Sequence, residues 1–367
     1  RIGQTLMAWP RWRQALPGSV AVCVAMALLL WLLGGLRAQD DVRQLQNASP
    51  SLVAQQRQVG EILGLPSPAQ FYLVQGNSPE QVLQREEELK ERLDALVERQ
   101  LLVGYSAVSD WVPSARRQDS DARLVAHAQE AVFKGVNAAL GESFARPATP
   151  PPAPLTVQAW LAQPISAAAR PLGLGERDGS YRSLLMLRGV TDLASLPALA
   201  GAAEGLEGVA WVDKPAEISA LLQRYRISMT ELLLLGHVLV LAALWLRFGR
   251  KAWRAWMPTV LASLVVVGVL TAFGAPWQLF NVLALMLLLG VGIDYGIVLQ
   301  EHEDDPHAWL AVVIGAGSTW LSFGLLGLSA TPALKAFGLT LMLGLPLVLV
   351  LAPLFRAPPQ APAGTSL

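Results

Sequence analysis

Apolar positions along this chain follow two patterns. In one, nearly unbroken apolar runs recur at Gly18–Leu36, Ile227–Leu246, Met257–Phe273, Leu279–Leu299, Ala308–Leu328 and Ala333–Pro353. Each approaches the ~20 residues that cross a bilayer core as a helix. The last five are joined by short connections. In the other pattern, over Arg37–Arg226, short apolar stretches alternate with polar ones, as in a folded domain that meets water.

Within that second region, Phe71–Gln75, Leu102–Val108, Ser183–Leu187 and Val209–Val212 read as strands. Pro79–Gln100, capped by Ser78, and Leu193–Glu204 read as helices, with a helical insert at Asp121–Leu140. The order is β-α-β twice, with the proline-rich connector Ala148–Leu155 between the units. This predicts α/β subdomains of the split kind. Lys214–Arg226 is expected to continue as helix into the second apolar run. The fold class expected is therefore an α-helical polytopic membrane protein with six transmembrane helices and an external α/β domain. Its segments are 1–17, 18–36, 37–226, 227–353 and 354–367.

Composition agrees with a lipid-facing chain. Charged residues make up 15% of the 367 and hydrophobic ones 53%, against about 25% charged in a soluble domain. The 28 basic and 28 acidic side chains cancel, so nucleic acid is not an expected partner. Cys23 is the sole cysteine, which excludes a disulfide scaffold. Basic residues set the orientation. Arg1, Arg11 and Arg13 precede the first run, Arg247, Arg250, Lys251 and Arg254 separate the second and third, and Arg356 follows the last. All fall on one side, so both termini are expected in the cytoplasm of a bacterium and 37–226 outside its inner membrane. Trp245, Trp253, Trp256, Trp277 and Trp309 sit near predicted helix ends, as interfacial tryptophans do.

Chemistry concentrates in the fourth run, at GVGIDYGIVL (Gly290–Leu299). A carboxylate at the bilayer centre costs about 2.5–3.5 kcal/mol on insertion scales. Asp294 has three readings: a hydrogen bond between helices, water reached at the cytoplasmic end, or a protonation site on a transport path. Gly290, Gly292 and Gly296 are candidate packing positions that let a neighbouring helix close around the acid. Tyr295 is about 100° further round the helix. Ser318, Thr319 and Ser322 are candidate relay partners, with bonding to their own preceding turn as the alternative. His237, mid-span in the second run, either titrates or bonds a neighbouring helix. Glu231 and Lys335 are expected near the outer surface. The run Glu86, Glu87, Glu88, Lys90 and Arg92 reads as a solvated helix face. The histidines show no metal-ligand spacing, no phosphate loop is present, and no nucleophile–base set is visible. Neither enzymatic activity nor a cofactor or metal is expected.

One membrane helix, an external domain and five clustered helices resemble half of a resistance-nodulation-division (RND) transporter. The pair Asp294–Tyr295 in GVGIDYGIVL resembles the MMPL branch of that superfamily. DDVRQLQ (Asp40–Gln46), SDWVPS (Ser109–Ser114), RGVTDLASL (Arg188–Leu196), LSFGLLGLSATPALKAFGLT (Leu321–Thr340) and LAPLFR (Leu351–Arg356) resemble its bacterial predicted-exporter group. The resemblance implies a proton-driven exporter of lipids or other hydrophobic molecules, aryl-polyene or fatty-acid-derived cargo among them. It implies a proton relay at Asp294 and Tyr295, and as partners a second half, the cargo, membrane lipids and further copies of the chain. Residue 1 is Arg, and the polar tail 357–367 looks like an end, so the C-terminal half is expected. Two other readings stay open: a non-transporting lipid sensor or assembly partner of the same architecture, and a component of protein export.

Overall fold

A computed structural model describes residues 36–63, 66–141, 153–190, 192–302 and 305–356, with Gly18, Ala21, Val22, Ala25, Met26 and Leu29. Most of the first predicted span, the N-terminal segment 1–17, the tail 357–367 and most of the proline-rich connector lie outside the described residues. The chain divides into two compact units, Ala48–Lys214 and Arg1–Asn47 with Pro215–Leu367.

The first unit is α/β. Its elements are α1 (Pro50–Leu63), β1 (Pro66–Gly76), α2 (Pro79–Glu98), β2 (Leu102–Ser106), α3 (Ala115–Leu140), α4 (Val157–Leu161), β3 (Gly173–Arg177), β4 (Ser180–Val190), α5 (Leu196–Ala202) and β5 (Val209–Asp213). The sheet order is β2-β4-β1-β5, every neighbouring pair antiparallel. β3 joins the first half of β4, and β2 pairs with its second half. The units β1-α2-β2 and β4-α5-β5 thus interleave, the split arrangement. Alternation in the strands turns Tyr72, Val74, Leu185 and Leu187 inward, where Val82, Leu89, Leu93 and Leu96 of α2 cover them. The buried Tyr72 hydroxyl donates to the Leu199 carbonyl of α5 at 2.6 Å. α2 begins where expected: Ser78 accepts from the Gln81 N–H at 3.2 Å, with Pro79 in the first turn.

The acidic run on α2 is not a solvated face. Glu86 is fully buried, and its carboxyl accepts from the Ser109 N–H at 2.7 Å and the Ser183 hydroxyl at 2.5 Å. Glu87 accepts from the N–H and hydroxyl of Ser114 at 2.7 and 2.8 Å. Glu80 accepts from the Ala115 N–H at 2.9 Å. Ser114 is the N-cap of α3, so Glu80 and Glu87 face the positive end of that helix, where carboxylates are favoured. Glu88 alone of the three consecutive glutamates is exposed. A charge pattern along one helix does not reveal the hydrogen-bond donors that the following loop brings to it.

The second unit is helical. α6 (Lys214–Phe248), α7 (Trp253–Ala272), α8 (Leu279–Glu301), α9 (Pro306–Phe323) and α10 (Pro332–Leu351) form its body. These five, some extended by a short 3-10 turn, are long and apolar enough to cross a membrane. α8 lies at the centre and α6 is the least buried. α8 packs on α7 and α10, and Asn281 ties it to α10 by donating to Thr340 Oγ1 at 3.0 Å. Residues after the first predicted span are clamped within this unit. Trp277 donates to the Arg37 carbonyl at 2.9 Å, and its own carbonyl accepts from the Gln39 N–H at 3.0 Å. Asp40 takes both arms of Arg226 on α6, at 2.8 and 2.9 Å. Val42 N–H donates to Ser219 at 3.1 Å. Trp277 and Trp309, read as interfacial, are buried at 7% and 3% exposure, whereas Trp245 is exposed.

Burial holds the Glu86 carboxyl above its usual range, against the opposing pull of its Ser183 and Ser109 hydrogen bonds. The native state therefore keeps this proton to higher pH than the unfolded chain. The contribution of Glu86 to stability is complete below the unfolded value, ~4.3, and is lost as pH rises through the folded one. Glu86→Gln keeps an acceptor for Ser109 and cannot ionise. At pH 7.5 it is expected to slow amide hydrogen exchange over 183–187 by ~5-fold, the effect of about 1 kcal/mol. At pH 4 it should match wild type. Faster exchange than wild type at pH 7.5 would contradict this.

Candidate functional site

α8 carries the Asp294–Tyr295 pair, and its two sides differ. Gly292 and Gly296 are buried against α7. A Cβ on Gly292 would strike the Thr259 side chain, and one on Gly296 the Ala255 backbone. The two glycines lie one turn apart, as do Ala255 and Thr259, so this is a close antiparallel crossing through small residues. Asp294 lies about 200° round the helix from each glycine. It is exposed, and Gly290, one turn before it, is exposed too. Nothing lies within 4 Å of where a Gly290 Cβ would project. Among the described residues the glycine packing therefore does not close around the acid. It draws α7 to the opposite side and leaves Asp294 on a narrow open strip of the most buried helix.

Tyr295 points inward at 7% exposure. Its hydroxyl has no hydrogen-bond partner among the described residues, and Thr319 and Asp294 are within interaction range. Thr319 donates to the Gly315 carbonyl of its own helix at 2.9 Å, the back-bond left open by the sequence. Ser318 and Ser322 are exposed on α9. His237 sits half-buried on α6, its ring edge-on to Trp256 of α7 with centroids 6.0 Å apart. The structure thus turns Tyr295 inward on the side of Thr319 and leaves Asp294 on the open strip. It places His237 against Trp256. Glu231 and Lys335 are exposed.

Two buried polar groups enter here, one on Thr259, which the sequence does not single out, and one on Trp256, which it marks only as interfacial. Thr259 Oγ1 and Trp256 Nε1 are buried on α7 without hydrogen-bond partners among the described residues. Thr259 is placed by Gly292, whose missing side chain makes room for it; that pairing is a three-dimensional fact with no signal in one dimension. At the C-terminal end of α8, Glu301 pairs with Arg247 of α6, and Gln300 donates to the Lys251 carbonyl at 3.2 Å. Among the described residues no three His, Cys, Asp or Glu side chains are grouped to hold a metal ion. Chemically, the arrangement offers one carboxyl on an open strip, next in sequence to a buried tyrosine that turns inward.

The two glycine environments make opposite predictions. Gly296→Ala drives a methyl into α7 backbone and is expected to cost about 1–3 kcal/mol. Gly290→Ala meets open space and gains helix propensity of about 1 kcal/mol. Thermal unfolding of the detergent-purified protein should show a lower midpoint for Gly296→Ala and an equal or higher one for Gly290→Ala. The reverse order would refute the α7–α8 crossing.

No protein-family model matches this chain, and no curated protein sequence matches it, so the function of the site is read from its own geometry.

Proposed function

We propose that this chain is half of a proton-motive-force-driven exporter of lipids or other hydrophobic molecules, and that Asp294 is its proton-carrying group. One observation carries the reading: an ionisable acid stands on the open strip of the most buried helix in a bundle of membrane-crossing length. Such a residue is costly in lipid and is kept where it faces a partner or a pathway. Gly290 leaves the strip free of side chain one turn away, which suits the approach of the second half. The group that titrates then lies at the seam between halves, where its charge state changes how they fit.

The energy is sufficient in kind. Moving one charge through 100 mV yields about 2.3 kcal/mol. A carboxyl that is charged in one state and neutral in the other converts this into a preference between two helix arrangements.

Asp294→Asn preserves shape and removes titration. In the full-length protein it is expected to leave expression and membrane insertion near wild type while abolishing gradient-driven efflux. Asp294→Glu should retain partial activity at best, because the added methylene moves the carboxyl by about 1 Å in a site of fixed geometry. Tyr295→Phe should weaken transport less than Asp294→Asn, since no charge is lost. The readout is efflux of a lipophilic cargo from inverted or intact vesicles at matched protein levels. Wild-type efflux by Asp294→Asn would sink the relay and favour the lipid-sensor reading.

A further inference from the structure

Of the 23 residues of α8, only Gly290, Asp294 and Glu301 are exposed. At 100° per residue, Asp294 lies about 40° and Glu301 about 20° from Gly290 round the helix. The open strip therefore does not stop at Asp294. It runs on to the last residue of the helix and carries both acids that α8 contains. Seven positions along the chain separate them, two turns, or about 10.5 Å of axis. Between them the strip is bordered by Ile297 and Val298, which are half-buried and apolar. No other ionisable side chain of α8 intervenes.

The stability of α8 does not account for Glu301. A carboxylate in the last turn stands at the negative end of the helix dipole, the unfavourable end. Its partner is Arg247 of α6, and the two side chains are 32% and 65% exposed. An ion pair so open to water contributes little to stability. The turn after α6 is tied separately, by Gln300 donating to the Lys251 carbonyl at 3.2 Å. What Arg247 does is fix the Glu301 carboxyl at the mouth of the strip. Near this end the described residues also include His302, the cations Arg250, Lys251 and Arg254, and Asp305 and His307 at the start of α9. None of these is on α8.

We infer that Glu301 is a second proton station, where a proton on its way to or from Asp294 stops at the water-facing end of α8. The inference rests on the reading of Asp294 as the proton carrier. In one direction, the O–H bond of the Asp294 carboxyl breaks, its proton passes through water along the open strip, and an O–H bond forms on a Glu301 oxygen. Neutral Glu301 loses its attraction to Arg247. The proton then leaves for bulk water and the ion pair forms again. The reverse order loads Asp294. A gap of about 10.5 Å is too long for direct transfer and takes about three hydrogen-bonded waters at ~2.8 Å spacing. Rows of acids are one of the uses to which ionisable residues in membrane segments are put.

The test uses the full-length protein in phosphatidylcholine nanodiscs and reads Asp294 directly, with no cargo. A laser pulse releases protons from a caged compound, and infrared absorption follows the rise of the protonated-carboxyl band that Asp294→Asn lacks. Glu301→Gln is expected to slow that rise at least five-fold, and azide, a small diffusible proton carrier, to restore it. Glu301→Ala, which cannot bond Arg247 at all, should behave as Glu301→Gln does. Glu301→Asp keeps a carboxyl on the strip and should stay within two-fold of wild type. Glu231→Gln removes an exposed acid of α6 and should change nothing. Thermal midpoints equal to wild type check that each variant is folded. An unchanged rise in Glu301→Gln, or slowing that azide does not restore, overturns the relay and leaves Asp294 as proton carrier. A wild-type protein with no Asp294 band at any pH at which it is folded overturns the reading of Asp294, and the relay with it.

Discussion

Close backbone contact between α7 and α8 sets the geometry of the helical unit. Gly292 and Gly296 let Thr259 and Ala255 sit where side chains would otherwise stand. One turn before Gly292, Leu288 of α8 fills the space left by Gly344 of α10, and Asn281 bonds Thr340. Held by these neighbours, α8 has little surface left, and what remains open among the described residues is the strip of Gly290 and Asp294. In a lipid solvent there is no hydrophobic drive to bring helices together, so such small-residue packing carries much of the cohesion. The position of the acid follows from where the packed glycines, Gly292 and Gly296, are not.

The α/β unit solves a different problem with carboxylates. α2 must hold the loop 107–114 and the start of α3, both of which present backbone N–H groups away from the sheet. Glu80, Glu86 and Glu87 each take at least one of these donors. Burying Glu86 costs desolvation, which its two hydrogen bonds offset in part. Lys90 then closes the loop by pairing with Asp110 at 2.6 Å, while Asp110 accepts from Ala107 N–H at 2.9 Å.

The periodicities of 3.6 and 2 made most elements legible before any coordinates. α2, β1, β2, β4, β5 and the five long apolar helices stand within a few residues of their expected bounds. β3 was not legible, because GLGER has two glycines and no alternation; it exists only because β4 offers an edge. α1 was missed because its apolar residues, such as Leu52 and Ile62, are exposed and not drawn into a core. At the site, Asp294 and Tyr295 stood out as polar residues in an apolar run. Which side of α8 each glycine serves was not readable, since the sequence gives angles round one helix but not the neighbour that occupies each angle. The same limit hid Thr259 and the burial of Glu86.

The clamp between Asp40 and Arg226 bears on how α6 can move. Both side chains are largely shielded, at 13% and 14% exposure, and the paired bonds fix the orientation as well as the distance of the guanidinium. Val42 and Ser219 add a second tie two turns earlier on the same helix. Sliding α6 by one turn, about 5.4 Å, would break all three bonds at once. Along its mid-span α6 has few buried residues among those described, Leu233 and Leu244. With Arg226 tied to Asp40 and Arg247, about six turns nearer the other end, tied to Glu301, α6 is pinned at two points and lightly packed between them: it is placed to bow and not to act as a piston.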